Sequence, residues 1–119
     1  MIKVNVRGTI YKIKVKTPEN DELFAKYDWD GYCDSISKEI VIMDFDKRPD
    51  YKRYSEKTKE DYRKRTLRHE LIHAFLNEAG LDSCACDYSG AWSKNEEMVD
   101  FFAIQFPKIV ETFKKMNCI

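Results

Sequence analysis

The sequence lacks an excess of charge of either sign, because its 119 residues include 21 lysines and arginines and 21 aspartates and glutamates. Proteins that bind nucleic acid through its phosphates usually carry a basic excess, so a nucleic-acid partner is not favoured. Hydrophobic residues make up 43% of the chain, which is enough for a folded core. The length suits one compact unit, and we expect a single domain over residues 1–119.

Long hydrophobic runs are also missing from the sequence. The uncharged apolar stretches are a few residues long, far below the roughly 20 residues that cross a bilayer, so no membrane partner is expected. Residues 1–7 alternate as a strand does and contain no apolar stretch typical of a signal peptide. We therefore expect a cytoplasmic protein. The chain also shows no internal repeat and no low-complexity segment.

Cysteine is scarce, with four residues at Cys33, Cys84, Cys86 and Cys118. Cys84 and Cys86 are not separated by the two-residue gap of a zinc knuckle or a thioredoxin motif. In a cytoplasmic protein the four are expected to be free thiols. A second metal site and a redox switch are the alternatives for them.

Alternating hydrophobicity predicts strands in the first half of the chain. Residues 2–6 and 9–15 each place apolar side chains on one face, with a turn or bulge expected at Arg7-Gly8. A short helix is expected through Leu23 and Phe24. Two further strands are expected over residues 32–36 and 39–45, and the second of these is the more apolar.

Helical spacing dominates the second half of the chain. A long helix is predicted from Ser55 or Thr58 to Gly80, mostly charged at first and apolar later, so that it enters the core partway along. A loop is expected over residues 81–93. A second helix over residues 94–106 is expected to be interrupted by Pro107 and to resume over residues 108–116. The predicted fold is α+β, with a small antiparallel or mixed sheet of three to four strands packed on the two helices.

The pattern His69-Glu70-Leu71-Ile72-His73 lies in the apolar half of the long helix and contains both histidines of the chain. Residues four apart on a helix share a face, so His69 and His73 can bind one zinc ion. Glu70 is displaced by about a third of a turn and can accept a proton from a zinc-bound water, the position of a general base. The alternative is a pair of histidines on a half-exposed helix face.

A catalytic zinc needs a third protein ligand, and the absence of a third histidine excludes the extended motif with a histidine six residues on. The ligand must then be a carboxylate or a cysteine, with Cys86 a less favoured candidate. Glu96 and Asp100 lie one turn apart at the start of the second predicted helix. One of them can bind zinc while the other accepts a hydrogen bond from a ligand histidine. An acidic cluster that stabilises a helix N-terminus is the alternative.

His-Glu-x-x-His on one helix and Asn-Glu-x-x-x-Asp at residues 95–100 together resemble the gluzincins, a family of zinc peptidases. The resemblance implies His69, His73 and Glu96 as zinc ligands and Glu70 as general base. It implies Asp100 as the carboxylate that orients a ligand histidine. Glu97 is the second candidate for the third ligand, but it lies about 100° around the helix from Glu96.

Within that group, the small size and residues 100–107 resemble ImmA/IrrE-like and SprT-like peptidases, compact proteins often found in phages and mobile elements. Typical SprT-like chains use a third histidine, which this chain lacks. The resemblance implies a minimal zincin-like fold and a zinc metalloendopeptidase acting on a protein or peptide. It also implies an edge strand that aligns an extended substrate, which we place near residues 39–44.

The alternative function is a non-catalytic zinc-fold module that contacts a regulatory protein or a phage or host protein. Glu70 favours the enzyme, because a purely structural zinc site has no use for a base. Tyr88 and Trp92 lie in the loop before the second helix, and a tyrosine hydroxyl there is a weaker candidate for stabilising an oxyanion. Packing of either ring on the core is the alternative. The basic run at residues 63–65 is a weaker candidate for contacting an acidic partner. The oligomeric state is not predicted.

Overall fold

The computed structural model describes residues 1–81 and 96–119, except for the side chains of residues 96, 99 and 100. The fold is α+β, as predicted, with one four-stranded mixed sheet and three α-helices in the described part of the chain. Two short 3-10 helices, Phe45–Lys47 and Pro49–Tyr51, connect the sheet to the long helix. In chain order, the main elements are β1 (Ile2–Val6), β2 (Thr9–Lys16), α1 (Glu22–Lys26), β3 (Gly31–Asp34), β4 (Glu39–Met43), α2 (Glu56–Glu78) and α3 (Glu96–Lys115).

The first two strands form an antiparallel hairpin in which Val6 pairs with Thr9. The two turn residues, Arg7 and Gly8, have φ angles of 53° and 94°. Positive φ at both positions of a two-residue turn suits the right-handed twist of paired strands, and glycine adopts it without strain. The backbone N–H of Gly8 donates to Asn5 Oδ1 over 2.7 Å. The predicted turn at these two residues is confirmed.

The strand order is β1-β2-β4-β3, with β4 parallel to β2 and antiparallel to β3. The edges of the sheet are therefore β1 and β3. Our placement of the edge strand near residues 39–44 is wrong, because β4 pairs on both sides. The reason lies in its burial, since Ile40, Val41, Ile42 and Met43 are each at most 3% exposed. A continuous apolar run of this kind is typical of an interior strand that is covered on both faces.

Helix α2 begins after Ser55, whose side chain accepts a hydrogen bond from the backbone N–H of Thr58. Its first ten residues carry most of its charged side chains, and burial starts only at Thr66. From there the buried residues recur at the three- and four-residue spacing of one helix face. The expectation that this helix enters the core partway along is confirmed. The buried positions of α2 are Thr66, Leu67, Glu70, Leu71, Ala74 and Phe75.

Helix α3 runs without interruption from Glu96 to Lys115, so the predicted break at Pro107 is wrong. A proline inside a helix removes one hydrogen bond and costs about 3 kcal/mol. The buried face offsets that cost, because Phe101, Ile109 and Phe113 lie in the core on both sides of the proline. Pro107 itself lies on the exposed face. No helix in the described ranges is long and apolar enough to cross a membrane.

Candidate metal centre

Helix α2 places the rings of His69 and His73 side by side, one turn apart. Their Nε2 atoms are 3.1 Å apart and their ring centroids 4.8 Å apart. Potential ligand atoms of His69, Glu70 and His73 all lie within 4.8 Å of one another. The two histidines are exposed, whereas Glu70 is buried at 6% exposure. The motif therefore presents two imidazoles outward and one carboxylate beneath them.

The spacing of the two imidazole nitrogens fits a shared metal ion. Zinc–nitrogen bonds of about 2.0–2.1 Å in tetrahedral geometry place two ligand nitrogens about 3.3 Å apart. The observed 3.1 Å is close to that separation. It also fits an N–H···N hydrogen bond between the rings, so the distance alone does not assign a metal. Two exposed imidazoles beside a carboxylate are the donor types that zinc prefers.

The proton affinities of the site depend mainly on burial. Burial raises the pKa of the Glu70 carboxyl to about 7, and no described residue donates a hydrogen bond to it. Although His73 is exposed as a residue, partial desolvation of its ring, and then the proximity of His69, lowers the pKa of His73. At neutral pH His73 is therefore neutral, with a lone pair available for a metal. Glu70 can gain or lose a proton near neutrality, which suits general acid–base catalysis.

A groove of about 890 Å³ runs along the exposed face of α2 and contains both histidines. Its opposite wall is the edge strand β3 together with the three residues before it, Asp28, Trp29 and Asp30. Cys33, on β3, lines the groove with Glu70. On the helix, the groove-lining residues are Tyr62, Arg65, Thr66, His69, Glu70, His73 and Asn77.

Gly31 allows the edge strand to approach the helix. A Cβ atom at this position would lie 2.9 Å from Thr66 Cγ2 and 3.0 Å from the carbonyl oxygen of Val41. No side chain fits there without displacement of a neighbour. Thr66 is one helical turn before Glu70, so this contact sets the distance between β3 and the candidate metal centre. Sequence reasoning missed this role, although a glycine beginning an apolar strand signals a close approach of backbone.

Two side-chain hydrogen bonds hold β3 in place. The Tyr32 hydroxyl donates to Asp21 Oδ2 over 2.7 Å, on the face of the sheet away from α2. On the α2 side, Asn77 Nδ2 donates to Cys33 Sγ over 3.6 Å. Burial raises the pKa of the Cys33 thiol to about 12, so this free thiol stays protonated at neutral pH. Cys118 is also a free thiol and is fully buried.

The structure brings together three of the five predicted site residues, His69, Glu70 and His73. Glu96 begins α3, but its side chain and that of Asp100 lie outside the described residues. The neighbouring Glu97 is exposed. The remaining candidates between the two helices also lie outside the described residues, namely Cys84, Cys86, Tyr88 and Trp92.

Comparisons of the chain with protein-family models, with curated proteins and with solved structures gave no match. The support for a function therefore comes from the residues and geometry of the site.

Proposed function

We propose that this protein is a zinc metalloendopeptidase that cleaves a peptide held in the groove between α2 and β3. The observation that carries the proposal is the convergence of His69, Glu70 and His73 within 4.8 Å on one wall of that groove. A purely structural site would not need an exposed pair of ligands beside an open groove. A peptide, in contrast, needs the length and openness that the groove provides.

In this proposal His69 and His73 hold zinc together with Glu96, and Asp100 accepts a hydrogen bond from a ligand histidine. The assignments of Glu96 and Asp100 rest on the resemblance to gluzincins. They are compatible with the start of α3 at Glu96 and with the burial of Phe101 in the core that α2 helps to form. When bound, zinc would supply Lewis acidity, which lowers the pKa of water toward about 7 and polarises a carbonyl group.

Glu70 is the proposed general base. Its carboxylate takes a proton from the attacking water and later delivers that proton to the leaving amine of the substrate. Two properties suit it to both steps. The burial of Glu70 holds its pKa at about 7. No described residue competes for its carboxylate oxygens through a hydrogen bond, so they are available to water.

Strand β3 is the proposed docking edge for the substrate backbone. It pairs with β4 on one side, and among the described residues no strand pairs with its other side. A free strand edge can bind an extended peptide through main-chain hydrogen bonds. Since Gly31 brings β3 against α2, a peptide added to this edge would pass the exposed rings of His69 and His73.

Metal content and peptide cleavage test the proposal together. We expect about one zinc per chain in the wild type and in Glu70→Gln, and a reduced content in His73→Ala and Glu96→Gln. A library of unstructured peptides should be cleaved by the wild type, and cleavage should fall by about 10²–10⁴-fold in Glu70→Gln. Lys64→Ala, a substitution on the same helix outside the groove, is the matched control and should change neither quantity.

The opposite results separate the alternatives. A wild type that contains no zinc even after reconstitution would overturn the proposal. Bound zinc without cleavage, together with full biological activity of Glu70→Gln, would identify the non-catalytic interaction module instead.

A further inference from the structure

A guanidinium group lies on the groove wall beside the candidate metal centre. Arg65 is exposed, lines the groove and lies one helical turn before His69. Its guanidinium carbon is 5.9 Å from the centroid of the Tyr62 ring. No carboxylate among the described residues forms an ion pair with Arg65. An exposed cation in a groove is therefore available to a ligand.

The other arginines of α2 are occupied. Arg63 pairs with Glu60 over 2.7 Å, one turn earlier on the helix. Arg68 donates to the backbone carbonyl of Cys118 over 2.6 Å and so contacts the end of α3. Neither arginine lines the groove. Of the basic residues before the histidines, Arg65 alone combines a position in the groove with the absence of an ion pair among the described residues.

The carboxylates on the opposite wall are already paired. Asp28 and Asp30 both bind Arg48, which is 9% exposed and also pairs with Asp50 over 2.9 Å. This network shares one buried guanidinium among three carboxylates. Asp28 and Asp30 can still attract a basic ligand, because their combined charge exceeds that of Arg48. The groove thus has an acidic end at residues 28–30 and, next to His69, a cation without an ion pair to any described carboxylate.

We infer that Arg65 recognises a carboxylate of the substrate, and that the preferred substrates carry aspartate or glutamate within two residues of the cleaved bond. The inference rests on the proposed peptidase function. A planar guanidinium binds a carboxylate through two parallel hydrogen bonds, which gives geometric selectivity. Tyr62 restricts the movement of the Arg65 side chain, which reduces the entropy lost on binding.

The expected position of the acidic residue follows from helix and strand dimensions. Four residues along α2, from Arg65 to His69, span about 6 Å. Two residues of an extended peptide span about 6.6 Å. A peptide that lies along the groove with its cleaved bond at His69 therefore places a side chain about two positions away near Arg65. Charge-assisted hydrogen bonds of this kind change affinity by about 10- to 100-fold.

The first test uses the zinc-loaded protein and peptides that differ only by Glu, Gln or Lys at each position near the cleaved bond. We expect kcat/KM to be about 10- to 100-fold higher for Glu than for Gln at one position. Arg65→Gln should abolish that preference, Arg65→Lys should keep part of it, and Arg65→Glu should favour Lys. Arg63→Gln, which alters a neighbouring arginine outside the groove, should leave the preference unchanged.

Equal cleavage of the three peptides, or a preference for Lys in the wild type, would overturn the inference while leaving the peptidase proposal intact. A second measurement separates the two ideas when no peptide is cleaved. Fluorescence anisotropy would compare the binding of labelled Glu and Gln peptides to zinc-loaded Glu70→Gln, with and without Arg65→Gln. Tighter binding of the Glu peptide that depends on Arg65 supports the inference. Equal binding, or no binding of either peptide, contradicts it.

Discussion

Among the acidic residues that the structure describes, Glu70 is distinguished by being buried without a hydrogen bond from any described residue. Such burial disfavours the charged carboxylate and makes it costly for folding in the absence of a metal. The same feature makes Glu70 a suitable proton acceptor in the proposed reaction. The histidines beside it are exposed, so the cost of desolvation falls mainly on the Glu70 side chain. Function and stability therefore oppose each other at this residue.

The opposition predicts a specific pH dependence. The ordinary pKa of a glutamate is 4.5 and that of Glu70 in the folded protein is about 7, so the folded state binds the proton more tightly. The contribution of protonated Glu70 to the stability of the folded protein is therefore fully present below about pH 4.5, and it is lost as the pH rises through about 7. For the metal-free protein, we expect the unfolding free energy of Glu70→Gln to increase relative to that of the wild type as the pH rises over this range. The increase should be at most about 3 kcal/mol.

Urea denaturation of both proteins in the presence of a chelator measures this difference. Other titrating groups are common to the two proteins, so their contributions cancel. A difference in unfolding free energy that stays constant with pH would show that Glu70 ionises normally.

Among the elements, the pair formed by β3 and α2 determines the shape of the groove. The two elements are in close contact at Gly31, where Thr66 and the backbone of Val41 leave no space for a side chain. This contact lies one turn before Glu70, so a change in strand–helix spacing there would shift the groove wall relative to the histidines. At this point the strand and the helix are held apart by van der Waals contact.

We expect Gly31→Ala to destabilise the protein by about 1–3 kcal/mol, because the added methyl group overpacks the contact. Thr66→Ser removes the nearest atom, Cγ2, and should recover part of the loss in the double variant. Thermal denaturation of the two single variants and the double variant measures the coupling. Strictly additive effects would show that the two positions do not share this contact.

Local sequence signals identified most elements, including the hairpin turn at Arg7-Gly8 and the start of α2 at Ser55. Each depends on residues close together in the chain, so its signal is present in a short stretch of sequence. The order of the strands is not local, which is why β4 was misplaced at the edge. Pro107 was misread for a related reason, since the buried contacts that keep α3 intact come from elsewhere in the fold.

The same distinction applies to the candidate site. His69, Glu70 and His73 could be predicted to converge, because a spacing of four residues on one helix determines their geometry. The groove, the contact at Gly31 and the availability of Arg65 depend on β3, which is about 35 residues earlier in the chain. The basic run at residues 63–65 was only a weak candidate for contacting an acidic partner, because the pairing partners of its side chains could not be known from sequence.

At the scale of the whole molecule, Glu78 joins the end of α2 to the sheet. Its carboxylate accepts hydrogen bonds from Thr9 Oγ1 at 2.8 Å, Tyr11 Oη at 2.7 Å and Lys38 Nζ at 2.7 Å. Thr9 and Tyr11 belong to β2, whereas Lys38 lies in the turn between β3 and β4. One side chain thus fixes the helix against two parts of the sheet. The hydrogen bond from Lys38, followed by those from Tyr11 and Thr9, lowers the pKa of Glu78 despite partial burial.

We expect Glu78→Gln to reduce the unfolding free energy by about 1–3 kcal/mol near neutral pH. Because the folded pKa is lowered, this stabilisation is present above the ordinary value of 4.5 and is lost as the pH falls through the folded pKa. Denaturant titrations at neutral and acidic pH should therefore show the gap between wild type and variant closing in acid.

The exposed pair between Glu111 and Lys115 on α3 provides the control, and Glu111→Gln should cost no more than about 0.5 kcal/mol. A Glu78→Gln effect as small as this, or one that persists unchanged in acid, would contradict the role assigned to Glu78.

The absence of space at Gly31 also has a consequence for evolution. In an alignment of homologous sequences, position 31 is expected to remain glycine wherever position 66 carries a branched side chain. Alanine at position 31 should appear only together with serine, alanine or glycine at position 66, and with some movement away from the Val41 carbonyl. Such paired substitution would reflect the strand–helix spacing independently of the histidines, so it would persist even in relatives that lack His69 and His73.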